Sequence, residues 1–364
     1  MDTTSGKISL LQAFMILMLM NGLTNHVIVN PMILDAAGRD SWFSALMAAG
    51  AFLPWCLLLL FITYRSGQQK LQPWLASQTN TVISWILISP VILELYLIGN
   101  TTVIHTSIWT VTNYLPATPK IILTGALTLV CFYSAIMGVR TIAICSGILL
   151  PTVIALGIFV AVANSPEKDY NLLKPFLENG IQPVVNGMVF AGGGFVELIM
   201  ILLMQHHIKQ KIKVWKFLVF ASMMVYITIG PLIGGIVEFG PEEAAKQMIS
   251  PYEQWRLVRL GDYVEHVDFL SVFQWLSGAC VRISLALFLL ADMIPTKNTK
   301  IKHLIILIIA LSYVATSFLP INQNEYYLWM YHDYFPAFLV VSFVTSLLWG
   351  AVSLIKRSKK EEAT

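Results

Sequence analysis

Charge is scarce in this sequence. Only 12% of its 364 residues are Asp, Glu, Lys or Arg, where an ordinary soluble domain carries about 25%, so water is not its main solvent. Cysteine is scarce as well. The four present (Cys56, Cys131, Cys145 and Cys280) lie inside apolar stretches with no Cys-x-x-Cys spacing, which argues against a disulfide framework or a metal knuckle and for small packing residues. Catalytic signatures are missing too. There is no His-Glu-x-x-His, no Gly-x-Ser-x-Gly and no phosphate loop ending in Gly-Lys-Ser/Thr, so no enzyme activity and no cofactor are expected. The net charge of +3 is gathered in alternate loops, a pattern that orients a chain in a bilayer and gives no reason to expect a nucleic-acid partner.

Apolar residues fill the gap, at 57% of the chain. Runs of 18 or more recur along nearly its whole length, and only closed, here helical, backbone hydrogen bonding survives in hydrocarbon. The windows predict ten spans, at 8–34, 41–64, 80–113, 120–138, 141–163, 182–206, 214–237, 266–292, 301–319 and 335–355. The first is read as a membrane span and not as a cleaved leader, because it carries a single Lys7, is interrupted at Asn21-Gly22 and has no small-x-small cleavage site. With ten spans both termini share a side, expected to be cytoplasmic. Fifteen of the 23 Lys and Arg fall in loops on that side and seven on the other, leaving Arg282 within a span. Of the two longer outside loops, 164–181 and 238–265, the second contains a stretch from Tyr252 to Arg259 that reads as a short amphipathic helix at the interface with Trp255 near headgroup level. A plain solvated connector is the other reading.

Polar or glycine-rich sequence in the middle of a span is costly, because freed backbone groups must find partners away from water. Such interruptions fall in the first span, over Asn21, Gly22, Leu23, Thr24, Asn25 and His26, and in the sixth, over Gly192, Gly193 and Gly194 with Phe195 following. These spans open two halves, 1–163 and 182–355, of a single integral membrane domain covering 1–364. Paired breaks in corresponding helices are how inverted-repeat transporters form a binding site. The expected fold is therefore an all-α membrane protein of about ten transmembrane helices, a five-plus-five inverted repeat with helices 1 and 6 broken. A half-helix N-terminus there attracts a carboxylate and a C-terminus an ammonium group, so an amino acid suits both. Close helix packing is the competing account of the glycines.

Three charged side chains stand out deep inside spans: Glu94, Glu197 and Arg282. Each costs at least about 2.5–3.5 kcal/mol at the bilayer centre unless paired or hydrated, so Arg282 is expected to meet Glu197 or Glu94, at a ligand site or in a static pair locking the bundle. His26 and His105 can relay protons or simply satisfy a neighbour. His206 and His207, beside a lysine cluster, read as interfacial with possible headgroup contact.

The stretch from Asn25 to Pro31 (Asn-His-Val-Ile-Val-Asn-Pro), followed by Ala36 to Trp42, resembles the spore germination permease family, the B subunits of nutrient germinant receptors. Similar to it as well are Leu172 to Pro175 with Gly180 to Pro183, the glycine break followed by Glu197, the basic run from His207 to Lys211, the segment Gly261 to Asp268, and Asn324 to Asp333. The ordered series spans essentially the whole chain. It departs from the family pattern where Thr24 and His26 stand at positions often held by glycine. The family is similar to amino acid–polyamine–organocation transporters, which implies the same five-plus-five fold. The resemblance implies a sensor in the spore inner membrane that binds a small nutrient, an amino acid by preference, and acts with a larger A subunit and a lipoprotein C subunit. A proton- or ion-coupled amino-acid symporter is the alternative, weakened by the absence of a lysine in the fifth span. A ligand-free scaffold is a third reading.

Overall fold

The computed structural model describes residues 6–259 and 267–355. Among them the chain is helical, with one isolated bridge between Ile8 and Ile208 and no strand. The spans are α1 (10–37), α2 (Ser41–Arg65), α3 (Thr81–Asn113), α4 (Lys120–Met137), α5 (Val139–Ala163), α6 (Gln182–His207), α7 (Val214–Phe239), α8 (Phe269–Met293), α9 (Thr299–Thr316) and α10 (Gln323–Leu354). α1 and α2 form one helical stretch of 56 residues, too long for a single crossing of a bilayer core about 30 Å thick. A 3-10 turn at Gly38–Asp40 divides it, with Gly38 at φ +52°, where a side chain would be strained. Gly138, at φ +89°, makes the equally tight turn from α4 to α5. The chain is thus an all-α multi-pass membrane protein.

Helix starts follow local chemistry. Ser9 and Gln12 form a capping box before α1, Asn322 and Glu325 another before α10, and Asn80 accepts from the amide of Ile83 at the head of α3. The Asn322 cap moves the start of the last span to Gln323, twelve residues ahead of the expected 335. Its first turns carry Tyr326, Tyr327 and Trp329, and a hydropathy window alone reads such residues as loop. The helix expected around Tyr252 runs from Ser250 to Arg256, but Trp255 is buried and does not face the interface. Its indole donates to Gln274 Oε1 at 2.9 Å, and it packs with Val258, Val267 and Phe159. The segment Gly261 to Asp268 lies outside the described residues except for Val267 and Asp268, as do the C-terminal lysines from Lys356 onward.

Burial separates core spans from peripheral ones. In α6 and α8, 89% and 83% of the apolar stretch is buried in protein, against 17% in α5 and α9. α6 packs on α1, α2 and α10, and α8 packs on α1, α3, α4, α5 and α9. Leu129, Ile148, Tyr226 and Val340 on the outer helices are exposed, an unfavourable surface in water but one suited to lipid tails.

Candidate functional site

The middle of three helices is irregular. In α1, residues Thr24–Ile28 form a π turn, closed by the amide of Val29 donating to the carbonyl of Thr24 at 2.9 Å. Pro31 follows. It has no amide hydrogen for the carbonyl of Val27 and its ring crowds that carbonyl, and the wider turn accommodates both effects. In α10 a second π turn, Met330–Tyr334, precedes Pro336 for the same reason. In α6 the glycines sit in regular helix, and a 3-10 turn, Val196–Ile199, comes directly after them. The interruptions in helices 1 and 6 are therefore an underwound and an overwound turn respectively, and the helices remain continuous through them.

These turns converge on one ion pair. Arg282 of α8 donates from Nη1 and Nη2 to the two oxygens of Glu197 at 2.5 and 2.6 Å, a bidentate fork with both side chains almost wholly buried. Glu197 lies in the 3-10 turn. Thr24, in the π turn of α1, donates to the same carboxylate, 3.1 Å from each oxygen. Arg282 also donates from Nε to Thr102 Oγ1 of α3 at 2.8 Å and from Nη1 to the carbonyl of Met20 at 3.1 Å. Four spans thus meet at one guanidinium–carboxylate pair. Opposite charges in a bidentate pair with further hydrogen bonds are the arrangement in which a buried ion pair can offset its desolvation cost.

Around the pair lie groups with bonding capacity to spare. Tyr334, at the end of the α10 π turn, places its buried hydroxyl within electrostatic reach of Arg282, Glu197 and Glu94 without a hydrogen bond of good geometry. Tyr326 donates to the carbonyl of Thr101 at 2.9 Å. Glu94 is buried and accepts from Ser342 at 3.0 and 2.9 Å, with no cationic partner among the described residues. Both polar atoms of the Asn21 side chain and Asn25 Oδ1 are buried without partners. Satisfied polar groups are the rule inside proteins, and more strongly so in membranes. Unsatisfied polar groups on Asn21 and Asn25, the sequence neighbours of Met20 and Thr24 that bond the charge pair, are chemistry suited to a small polar solute.

The remaining expected site residues divide. Thr24, Glu197 and Arg282 come together. Asn25 joins α1 to α6 by donating to the carbonyls of Asn21 at 2.9 Å and Gly194 at 3.4 Å. Leu23 lies against Gly278 of α8. Gly22 and His26 instead face α7: Gly22 packs near Ile227, whose carbonyl lies 3.1 Å from His26 Nδ1. Gly192 and Phe195 face Phe52 of α2, and Gly193 lies against Phe335 of α10. A Cβ on Gly194 would come within 2.3 Å of Asn25 Oδ1. The triplet thus lets α6 approach three neighbours closely. His105 is held between the rings of Trp275 and Tyr326. His206 and His207 meet Asp292 at the end of α8. Sequence reading missed Tyr334, Tyr326 and the α10 turn, where Pro336 follows a polar, aromatic run.

Comparison with known proteins agrees with this architecture. The family model described as spore germination protein matches residues 7–326. A curated relative, Spore germination protein XB of Bacillus anthracis, is 40% identical over 353 residues, covering 97% of this chain and 99% of its own. Likeness over that extent includes every span bearing the ion pair and its neighbours, and the chain belongs to the spore germination permease family of multi-pass membrane proteins.

Proposed function

We propose that this chain is the nutrient-sensing subunit of a spore germination receptor, binding a small polar ligand beside the Arg282–Glu197 pair. The observation that carries the reading is the pair itself. Its charges are deep in the bundle, it joins α1, α3, α6 and α8, and the buried Tyr334 hydroxyl is within electrostatic reach of it. An amino acid fits this chemistry, with its carboxylate opposite Arg282 and its ammonium group opposite Glu197 or Glu94. Inserting such a ligand exchanges one set of ionic contacts for another and shifts the preferred arrangement of the helices. We read the spans as a five-plus-five repeat, 1–163 and 182–355, supported by the irregular turns in α1 and α6. A and C subunits would read the rearrangement in the spore inner membrane, with both termini cytoplasmic, and no catalytic step is involved.

The competing symporter reading has one observation in its favour, the buried and uncompensated Glu94, which is a candidate coupling group. Dipicolinate release from spores lacking this chain, challenged with single amino acids, sugars and nucleosides, separates the two when paired with labelled uptake by growing cells. Selective loss of one germination response with normal uptake is expected. Intact germination with impaired uptake would assign the chain to transport.

A further inference from the structure

At the lysine-rich end of the bundle, four cationic or potentially cationic side chains surround one carboxylate. His206 Nε2 lies 3.0 Å and His207 Nε2 3.4 Å from the same Asp292 oxygen, Oδ2. Lys70 approaches that oxygen at 3.2 Å and Lys302 approaches Oδ1 at 3.2 Å. The imidazoles are consecutive in the 3-10 turn ending α6, with ring centroids 4.0 Å apart. His207 Nε2 is buried and meets Asp292 Oδ2 without the alignment of a good hydrogen bond.

We infer that His206, His207 and Asp292 form a binding site for a divalent transition metal such as zinc, in competition with Lys70. Two imidazole nitrogens and a carboxylate oxygen are a donor set that zinc accepts, and tetrahedral bonds of about 2.0–2.1 Å place neighbouring ligand atoms about 3.3–3.4 Å apart. The separations of 3.0 and 3.4 Å from Asp292 Oδ2 are close to that edge length, and the three ligand atoms all lie within 4.8 Å of one another. Metal bonding would also satisfy the His207 nitrogen, whose contact with Asp292 is too poorly aligned for a good hydrogen bond. The obstacle is Lys70, whose ammonium group occupies the same oxygen and also donates to the backbone carbonyl of Asp292. Its side chain is 26% exposed, whereas that of Asp292 is 11% exposed, so the lysine can swing to solvent while the carboxylate stays. Lys302, on the other oxygen, need not move and can hold the carboxylate in orientation. The metal would clamp the end of α6 to the end of α8, the two spans that carry Glu197 and Arg282.

The test uses the full-length chain purified in detergent, stripped with chelator and titrated with zinc by calorimetry or against a chromophoric chelator. One zinc ion per chain is expected. His206→Ala and His207→Ala should each weaken binding by at least about tenfold, since even partners that only orient a ligand are worth that much. Lys70→Met, which keeps all three ligands, should tighten binding by roughly tenfold through the loss of one repelling charge. The thermal transition of each variant without zinc reports whether the fold has survived. Absence of binding by both the parent chain and the folded Lys70→Met variant would overturn the proposal. So would unchanged affinity in a folded His206→Ala/His207→Ala chain, which would place the zinc elsewhere.

Discussion

Arg282 has committed four of its five N–H donors to protein: Nε to Thr102, Nη1 to Glu197 and Met20, and one Nη2–H to Glu197. Removing either partner leaves a buried charge alone, at a cost of about 3–5 kcal/mol, whereas replacing both by apolar residues of similar volume is often nearly neutral. Arg282→Met and Glu197→Met are therefore each expected to lower the thermal transition in detergent sharply, with the double variant recovering most of the loss. A double variant no better than the worse single one would show that Thr24 and Thr102 depend on the charges as well. Tyr334→Phe is the complementary change. It keeps the ring contacts with Phe335 and Phe338 and removes a hydroxyl that makes no hydrogen bond of good geometry. Stability should hold, while the nutrient concentration for half-maximal germination should rise about tenfold or more, as for a lost hydrogen bond to a charged ligand. An unchanged dose-response would exclude Tyr334 from the site. Sequence alone identified the two members of the pair but not which glutamate Arg282 meets. That choice depends on the 3-10 turn at Val196–Ile199, which advances each residue by about 120° where an α-helix advances it by about 100°.

At the scale of elements, proline and glycine set the geometry of the site. Gly192, Gly193 and Gly194 meet different surroundings, so equal substitutions should have unequal effects. An added Cβ at Gly192 comes 3.2 Å from the ends of the Leu339 and Phe52 side chains, which can shift. At Gly194 it comes within 2.3 Å of Asn25 Oδ1, and moving Asn25 aside breaks its bonds from α1 to α6. Gly194→Ala is thus expected to cost about 1–3 kcal/mol and Gly192→Ala less, as read from thermal transitions and membrane abundance; equal losses would refute this packing account. The α1 interruption was visible in sequence because its residues are polar within an apolar span. The α10 turn was not, because a proline after a polar, aromatic run reads equally well as the first turn of a new helix. Trp255 was misplaced for a related reason: a short helix with tryptophan and charge has the composition of an interfacial segment, and only tertiary contact with Gln274 and Phe159 shows it to be core.

Across the whole molecule, α6 connects the ion pair to the lysine-rich end, where several contacts hold the bundle closed. Ile8 pairs with the backbone of His207 and Lys209 at 2.9 Å each way, fastening the start of α1 to the end of α6. Gln205 donates to Ser66 Oγ at 3.1 Å and to the carbonyl of Gln69 at 2.9 Å, joining α6 to the end of α2 and its connector. Gln205 lies eight residues beyond Glu197, about 12 Å along a helical rise. The spans were legible from hydropathy, but this closure was not, because glutamine, serine and backbone contacts leave no periodic signal. Where the ion pair and these closing contacts share one core helix, disturbing one should loosen the other. Ser66 is buried, so a Ser66→Cys reporter in a background lacking the four native cysteines gives a direct reading. With no ligand added, Arg282→Met should raise its labelling by a membrane-impermeant maleimide at least about fivefold, the equivalent of losing a net hydrogen bond of ~1 kcal/mol. Gln205→Ala, which removes the contact itself, sets the upper limit. If labelling rises with Gln205→Ala but not with Arg282→Met, the site and the closure are energetically independent, and a ligand at the pair must act through another helix.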